Sequence, residues 1–344
     1  MAEEKIKATT GVKANKDAGM KAGAGLDVGT AFLVSSRENS GGEVVSKKFR
    51  NAFINIDKEH KRFLSLSNIP YVEREDDYLV LGDESFSLAS LLKTAPRRPM
   101  QKGLLAPSES DAYAIMVMII KKLLGDPIEP NEKVCFSVPG VPVDIDRDVI
   151  YHKAVCEKMI KALGYEPVAM NEAAAIVFSE GAKNGFTGIG ISFGGGLVNV
   201  SVCFKAIPVI SFSISNSGDF IDEGVARATN ISVAKSCIVK EQMKDLLNPA
   251  GGTEEAIAVY YNTMVEHTLV ELKKAMTTKQ SSMDLSEGMS IYYAGGTSMV
   301  PGFDTLFAEK CKEILSKFFK INDIVGVQDR LYAVSRGLLV ASRA

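Results

Sequence analysis

From Gly188 to Val202, apolar and small or polar residues alternate, stop, and alternate again. Ile189 and Ile191 take turns with Gly190 and Ser192. After Gly194-Gly195-Gly196, Val198, Val200 and Val202 take turns with Asn199 and Ser201. Period-two alternation with β-branched residues predicts strand, tight turn, strand. The three glycines allow positive φ and let another group approach the main chain. A row of amide N–H groups in such a turn forms a nest for an anion. A glycine hairpin without a ligand has the same pattern.

The pattern recurs twice. Gly25 to Thr30 and Ala31 to Ser35 read as strand, turn at Gly29-Thr30, strand, with Asp27 near the end of the incoming strand. Ile291 to Ala294 is a strand running into Gly295-Gly296, followed by Thr297 and Ser298 at the start of a helical stretch. Between these lie further strands at Glu43–Phe53, Tyr78–Leu81, Lys133–Pro139, Pro167–Met170 and Ile207–Ile214. Helical periodicity predicts helices ending near Leu124, from Ile145 to Leu163, from Asn171 onward, from Glu254 to Thr278 and from Phe303 to Phe319. Asp144 and Asp146 suit the positive end of the second of these, and Asn171 is a good N-cap for the third. Strands and helices interleave along the chain, the mark of an α/β fold. Glycine turns at strand ends in its first, middle and last parts suggest two related halves closing on one phosphate-bearing ligand.

Composition removes several other classes. The 344 residues suffice for two domains, with 46% hydrophobic and 24% charged residues. A net charge of −2 gives no electrostatic case for nucleic acid or anionic lipid. Five scattered cysteines without a C-x-x-C pair fit a reducing, cytoplasmic setting better than a disulfide framework, and three distant histidines argue against a histidine metal site. Residues 1–23 are rich in Lys, Ala and Gly, lack an apolar core for a secretory signal, and read as a disordered tail with too little apolar surface to bind a membrane.

The three glycine segments together resemble the phosphate-1, phosphate-2 and adenosine motifs of the actin, heat-shock chaperone and sugar-kinase ATPase superfamily. Gly82-Asp83-Glu84 followed by Arg98-Pro99-Met100-x-x-Gly103 is similar to a segment of the MreB- and MamK-like prokaryotic filament proteins. The resemblance spans nearly everything but the tail. It implies an actin-like fold of two related α/β domains, each with a mixed five-stranded sheet, with nucleotide between them. The first domain is expected over 24–185, with a small subdomain at about 50–105, and the second over 186–344.

The resemblance also implies a site for ATP and Mg2+. Gly29 and Thr30 would cup the phosphates from one half, and Gly194, Gly195 and Gly196 from the other. Asp27 would hold the metal through water. Asn171-Glu172 resembles the superfamily segment whose glutamate orients the attacking water, although a first-turn Glu can simply favour the helix dipole. Gly218-Asp219 would pack near sugar and phosphates. Lys240 would flank adenine and Glu241 would bond the ribose, where a solvated Lys–Glu pair is the plain alternative. Gly295, Gly296 and Ser298 would let adenine lie against the backbone.

One departure bears on activity. The phosphate-2 motif normally opens with Asp and carries Thr after its glycines; here the positions are Ser192 and Leu197, with Asn199 further on. Ser192 can bond a water but brings no charge to the metal, so binding should survive better than hydrolysis. The expectation is therefore a filament-forming protein that polymerises with itself and hydrolyses ATP slowly, with filament-binding partners unidentified. The alternatives are a non-polymerising protein of the chaperone type, for which no peptide-binding domain is left in the chain, a small-molecule kinase, for which no catalytic Asp loop is found, and a nucleotide-binding pseudo-ATPase.

Overall fold

The computed structural model describes residues 19–343 apart from 68, 93, 95, 280–282 and 284. Residues 1–18 of the expected tail lie outside the described residues. Its last residues do not hang free: Met20 bridges to Asn39, and the Gly23 amide donates to Glu132 Oε1 at 3.0 Å.

Two five-stranded sheets carry the fold. The first has strands β1 (Ala24–Val28), β2 (Phe32–Glu38), β3 (Val44–Arg50), β9 (Lys133–Val138) and β10 (Glu166–Asn171), in the order β10-β9-β1-β2-β3. The second has β11 (Gly188–Phe193), β12 (Val198–Phe204), β13 (Ile207–Ile214), β14 (Met289–Ala294) and β15 (Ile321–Gly326), in the order β13-β12-β11-β14-β15. Read from opposite edges, the two orders are the same. In each sheet the first three strands form an antiparallel meander, and the first strand pairs in parallel with the fourth. Both sheets are mixed, and the halves are related as the glycine turns suggested.

Between β3 and β9 the chain makes a small unit of β4 (Phe53–Asp57), β5 (Val72–Glu73), β6 (Asp77–Leu81), β7 (Met100–Gln101) and β8 (Leu104–Leu105), with helices α1 (Lys61–Leu66) and α2 (Asp83–Leu91). The expected single strand over Glu43–Phe53 is divided. Buried Asn51 donates to the Gly29 carbonyl at 3.1 Å and turns the chain out of the first sheet before Phe53 starts another.

The remaining helices are α3 (Ala112–Leu124), α4 (Ile150–Ala162), α5 (Glu172–Glu180), α6 (Gly218–Thr229), α7 (Val233–Gln242), α8 (Gly252–Lys279), α9 (Phe303–Leu315) and α10 (Ala333–Ala341). Helix α4 starts five residues later than the periodicity predicts. Residues 141–143 make a single parallel bridge to the second sheet: Ser213 N donates to Val141 O and Val143 N to Ser213 O, both at 3.0 Å. Asp144 then accepts from Ser215 N and Oγ instead of capping a helix, and Asp148 Oδ1 accepts from Ile150 N at 2.7 Å.

Helices α5 and α10 lie between the sheets. The alanine-rich run Ala173-Ala174-Ala175-Ile176-Val177 is wholly buried because backbones pass almost in contact there. A Cβ on Gly190 would stand 2.1 Å from Ala173 O, and one on Gly337 only 1.7 Å from Ala175 O. Each sheet has its own apolar core, the second built on Phe193, Phe303 and Phe307, whose rings meet edge to face at 5.0 and 5.5 Å. No helix among the described residues is long and apolar enough to cross a membrane.

Candidate nucleotide site

The carboxyl ends of β1 and β11 face one cleft of about 430 Å³, the position where open α/β sheets bind ligands. The turns at these ends have the same construction. Gly29 N donates to Phe32 O and Gly194 N to Leu197 O, each at 3.1 Å. A Cβ at either glycine would stand 2.5 or 2.7 Å from that carbonyl. Asp27 and Ser192 precede their turn glycines by the same step, so the two positions are equivalent in the two halves, and only one keeps a carboxylate.

The second turn departs from expectation in one respect. Gly194, Gly195 and Gly196 do not adopt positive φ. Crowding is what demands glycine: a Cβ on Gly196 would lie 2.3 Å from Gly103 N and 2.4 Å from Thr30 Oγ1. The carbonyl of Gly194 accepts from Gly218 N (3.1 Å) and Thr297 Oγ1 (2.9 Å); that of Gly195 accepts from Asp219 N (2.7 Å) and Ser217 Oγ (2.8 Å). A trans peptide sets N–H opposite C=O, so the amides of Gly195 and Gly196 point away from α6, as an anion nest needs.

At the base of the cleft lie Asp27 and Glu172. Asp27 Oδ1 accepts from Ser137 Oγ at 2.9 Å. Glu172 follows the N-cap Asn171, whose Oδ1 accepts from Ala173 N and Ala174 N. Its own oxygens are both engaged: Oε1 accepts from Ser192 Oγ at 2.6 Å and Oε2 from Asn199 Nδ2 at 2.9 Å. Asn199 Oδ1 in turn accepts from Gly140 N at 2.9 Å. Burial pushes the Glu172 carboxyl up to about 8, aided by the charge of Asp27, while burial raises Asp27 to about 6 against the lowering effect of its Ser137 bond. Ser192 thus donates its hydroxyl to Glu172 and helps to hold that carboxyl in place.

The cleft wall is partly apolar around Gly295, with Met299, Val300, Pro301 and Leu331 in it. Gly295 has φ of 100°, and a Cβ there would lie 2.3 Å from Phe193 O. Gly295, Gly296, Lys240, Glu241 and Asp219 all line the cleft together with Thr30 and the three glycines. Lys240 is turned inward: its ammonium donates to Asp222 Oδ2 at 2.7 Å and Gly218 O at 3.0 Å. Gly218 and Ser298 stand behind the surface. Gly218 braces the second turn, and Ser298 Oγ donates to Gly295 O at 2.8 Å.

The sequence assigned no part in the site to several residues that the structure brings to it or just behind it. Arg98 reaches Asp219 across the cleft at 3.1 Å. Lys48 and Arg50 stand on the face of Phe32, at 5.2 and 4.5 Å from its ring centre. Ser137 and Asn199 lie in ordinary apolar strands, and only their register beside Asp27 and Ser192 gives them a role.

A family model described as Volactin matches residues 20–342. No match is found among curated proteins. Among solved structures, the MamK double helical filament superposes with a TM-score of 0.70 at 20% identity, covering 93% of this chain and 98% of that one. MreB 5 of Spiroplasma citri bound to AMPPNP gives 0.65 at 14% identity, covering 91% and 93%. The ethanolamine utilization protein EutJ from Carboxydothermus hydrogenoformans gives 0.56 at 14%, covering 94% and 90%. At these identities the likeness establishes the fold. The chain has the actin-like fold and belongs to the Volactin family.

Proposed function

We propose that this protein is an actin-like cytoskeletal subunit of the cytoplasm that binds Mg-ATP between its lobes, assembles with copies of itself into filaments and hydrolyses ATP slowly. The observation that carries this reading is the pair of equivalent glycine turns facing one cleft, with Asp27 and Glu172 at its base. The amides of the two turns, with the Thr30 hydroxyl, receive the phosphates. The wall of Gly295, Gly296 and Met299 would take the base, and Glu241, which lines the same cleft, would bond the ribose.

The donor set fits Mg2+. Among the described residues no group of three or more His, Cys, Asp or Glu side chains gathers to hold an ion. Two adjacent, half-buried carboxylates suit a cation that keeps its waters and takes its other oxygens from phosphate. When bound, Mg2+ would offset phosphate charge. Asp27 would hold its waters, and Glu172, fixed by Ser192 and Asn199, would orient the water that attacks the terminal phosphate.

Self-assembly is supported by likeness to MamK, whose structure is that of a double helical filament. A head-to-tail contact that does not close produces a filament. The free thiols, most of them buried, fit a reducing compartment.

A second reading is favoured by the two bonds on Glu172. With both oxygens engaged, the protein would bind nucleotide and turn it over scarcely at all. Sedimentation with Mg-ATP, with Mg-ADP and without nucleotide, with phosphate release followed in the same samples, tests both. Nucleotide-dependent pelleting with slow phosphate release is the expected result. Pelleting without phosphate selects the second reading. A protein that stays in the supernatant at every concentration overturns the filament assignment.

A further inference from the structure

The cleft is spanned at its phosphate end by a segment that belongs to neither glycine turn. The guanidinium of Arg98, from the first lobe, lies 3.1 Å from Asp219 Oδ1 in the first turn of α6, with side-chain exposures of 26% and 24%. Five residues on, Gly103 sits in the β7–β8 turn with φ of 75°. A Cβ there would lie 2.2 Å from Leu197 Cδ1, so the leucine packs directly on the hairpin backbone, and its own exposure is 3%. Gly103 N also donates to Thr30 Oγ1 at 3.0 Å. The segment from Arg98 through the β7–β8 turn therefore touches the first turn, the second turn and α6.

We propose that Arg98, Gly103, Leu197 and Asp219 form a clasp that holds the lobes together over the phosphate end without help from a ligand, and that opening it limits how fast bound nucleotide leaves. The proposal rests on the nucleotide reading above for its second half only. Leu197 is the key to it. A hydroxyl-bearing residue at this turn could face phosphate, whereas an isobutyl group cannot bond an anion and gains only by leaving water. Its surface is spent on the opposite lobe. The Arg98–Asp219 pair alone is too exposed to hold the lobes, because solvent and salt screen it. Combined with a buried leucine it resists opening while still permitting it. Gly103 touches both turns that would receive the phosphates, so departure of a nucleotide held there would require Leu197 to leave Gly103 and Arg98 to leave Asp219.

The test compares wild type with Arg98→Asp, Asp219→Arg, the double swap and Leu197→Thr, in two measurements. Amide hydrogen exchange on the nucleotide-free protein reads the clasp itself. The Gly103 and Leu104 amides should be protected in wild type. They should exchange roughly tenfold faster in Leu197→Thr, about the effect of losing one well-packed apolar contact, and about threefold faster in each charge reversal, the scale of a part-exposed ion pair, with protection regained in the swap. Release of a fluorescent ATP analogue should follow the same order, with the swap restoring slow release. Unprotected amides in wild type, or a swap no slower than its faster parent, overturn the clasp. Protection that changes while release does not overturns its control of exchange. A wild type that binds no analogue overturns the nucleotide reading, and the exchange measurement still decides whether the clasp exists.

Discussion

Glu172 is held by two donors and pressed upon by one charge, and the balance gives it a pH signature. Its carboxyl is raised from an ordinary 4.5 to about 8, first by burial and then by Asp27, while Ser192 pulls it down. A folded value above the unfolded one means that the folded state binds more protons. The associated stability is whole below about pH 4.5 and is lost as pH passes through about 8. The nucleotide-free protein should therefore melt at progressively lower temperature between pH 5.5 and 8.5, by roughly 2 °C or more. Glu172→Gln should flatten that slope in a thermal scan. The same variant should keep nucleotide binding and lose about a hundredfold in phosphate release, the usual scale for one positioned group. Ser192→Asp makes the opposite test. It would set a third carboxylate, beside Asp27 and Glu172, where a hydroxyl now donates at 2.6 Å. Melting temperature should fall without ligand, and the stabilisation gained on adding Mg-ATP should exceed that of wild type, because the added charge is repelled by Glu172 and attracted by the ion.

At the scale of the element, the start of α5 matters most. Asn171 caps it with bonds of 3.0 and 3.1 Å to Ala173 N and Ala174 N, and Glu172 is the next residue. Asn171→Ala should cost about 1 kcal/mol in denaturant unfolding. Because the frayed turn carries Glu172, turnover should fall while the Michaelis constant changes little, which steady-state phosphate release measures. The contrast with α4 is instructive. Asp144 has the right residue type for a helix start, yet Pro142 and Ser213 form a bridge that keeps the chain extended, and Asp144 is drawn to Ser215. Local propensity names candidates for caps, and tertiary pairing chooses among them.

For the whole molecule, the seam between the lobes is the joint of the fold. Helix α10 leans on α5 and on β1, and a Cβ on Gly25 would lie 2.0 Å from Ser335 O. The side chains there are small because two helices and two sheets share the space. Gly337→Val, placing its Cβ 1.7 Å from Ala175 O, should separate α10 from α5. Overpacking commonly costs about 1–3 kcal/mol, and here it should also broaden the unfolding transition, since the lobes would no longer melt together. Calorimetry with a single sharp transition of unchanged midpoint would refute this account of the seam.

What the sequence by itself determined was local and repetitive. Alternation at 188–202, the glycine turns at 29, 194 and 295, and the N-cap at Asn171 follow from steric rules that act over a few residues. With them came the α/β class and the two related halves. The tertiary structure decided everything that depends on which strand lies beside which. Register, not residue type, sets Asn199 beside Ser192 and makes the pair a holder for Glu172. Arg98 and Asp219 are 121 positions apart, and only closure of the lobes makes them partners. Lys240 and Asp222, both in the cleft wall, became partners for the same reason: a largely buried ammonium needs a charge close by, and the chain's order does not say which one it will find.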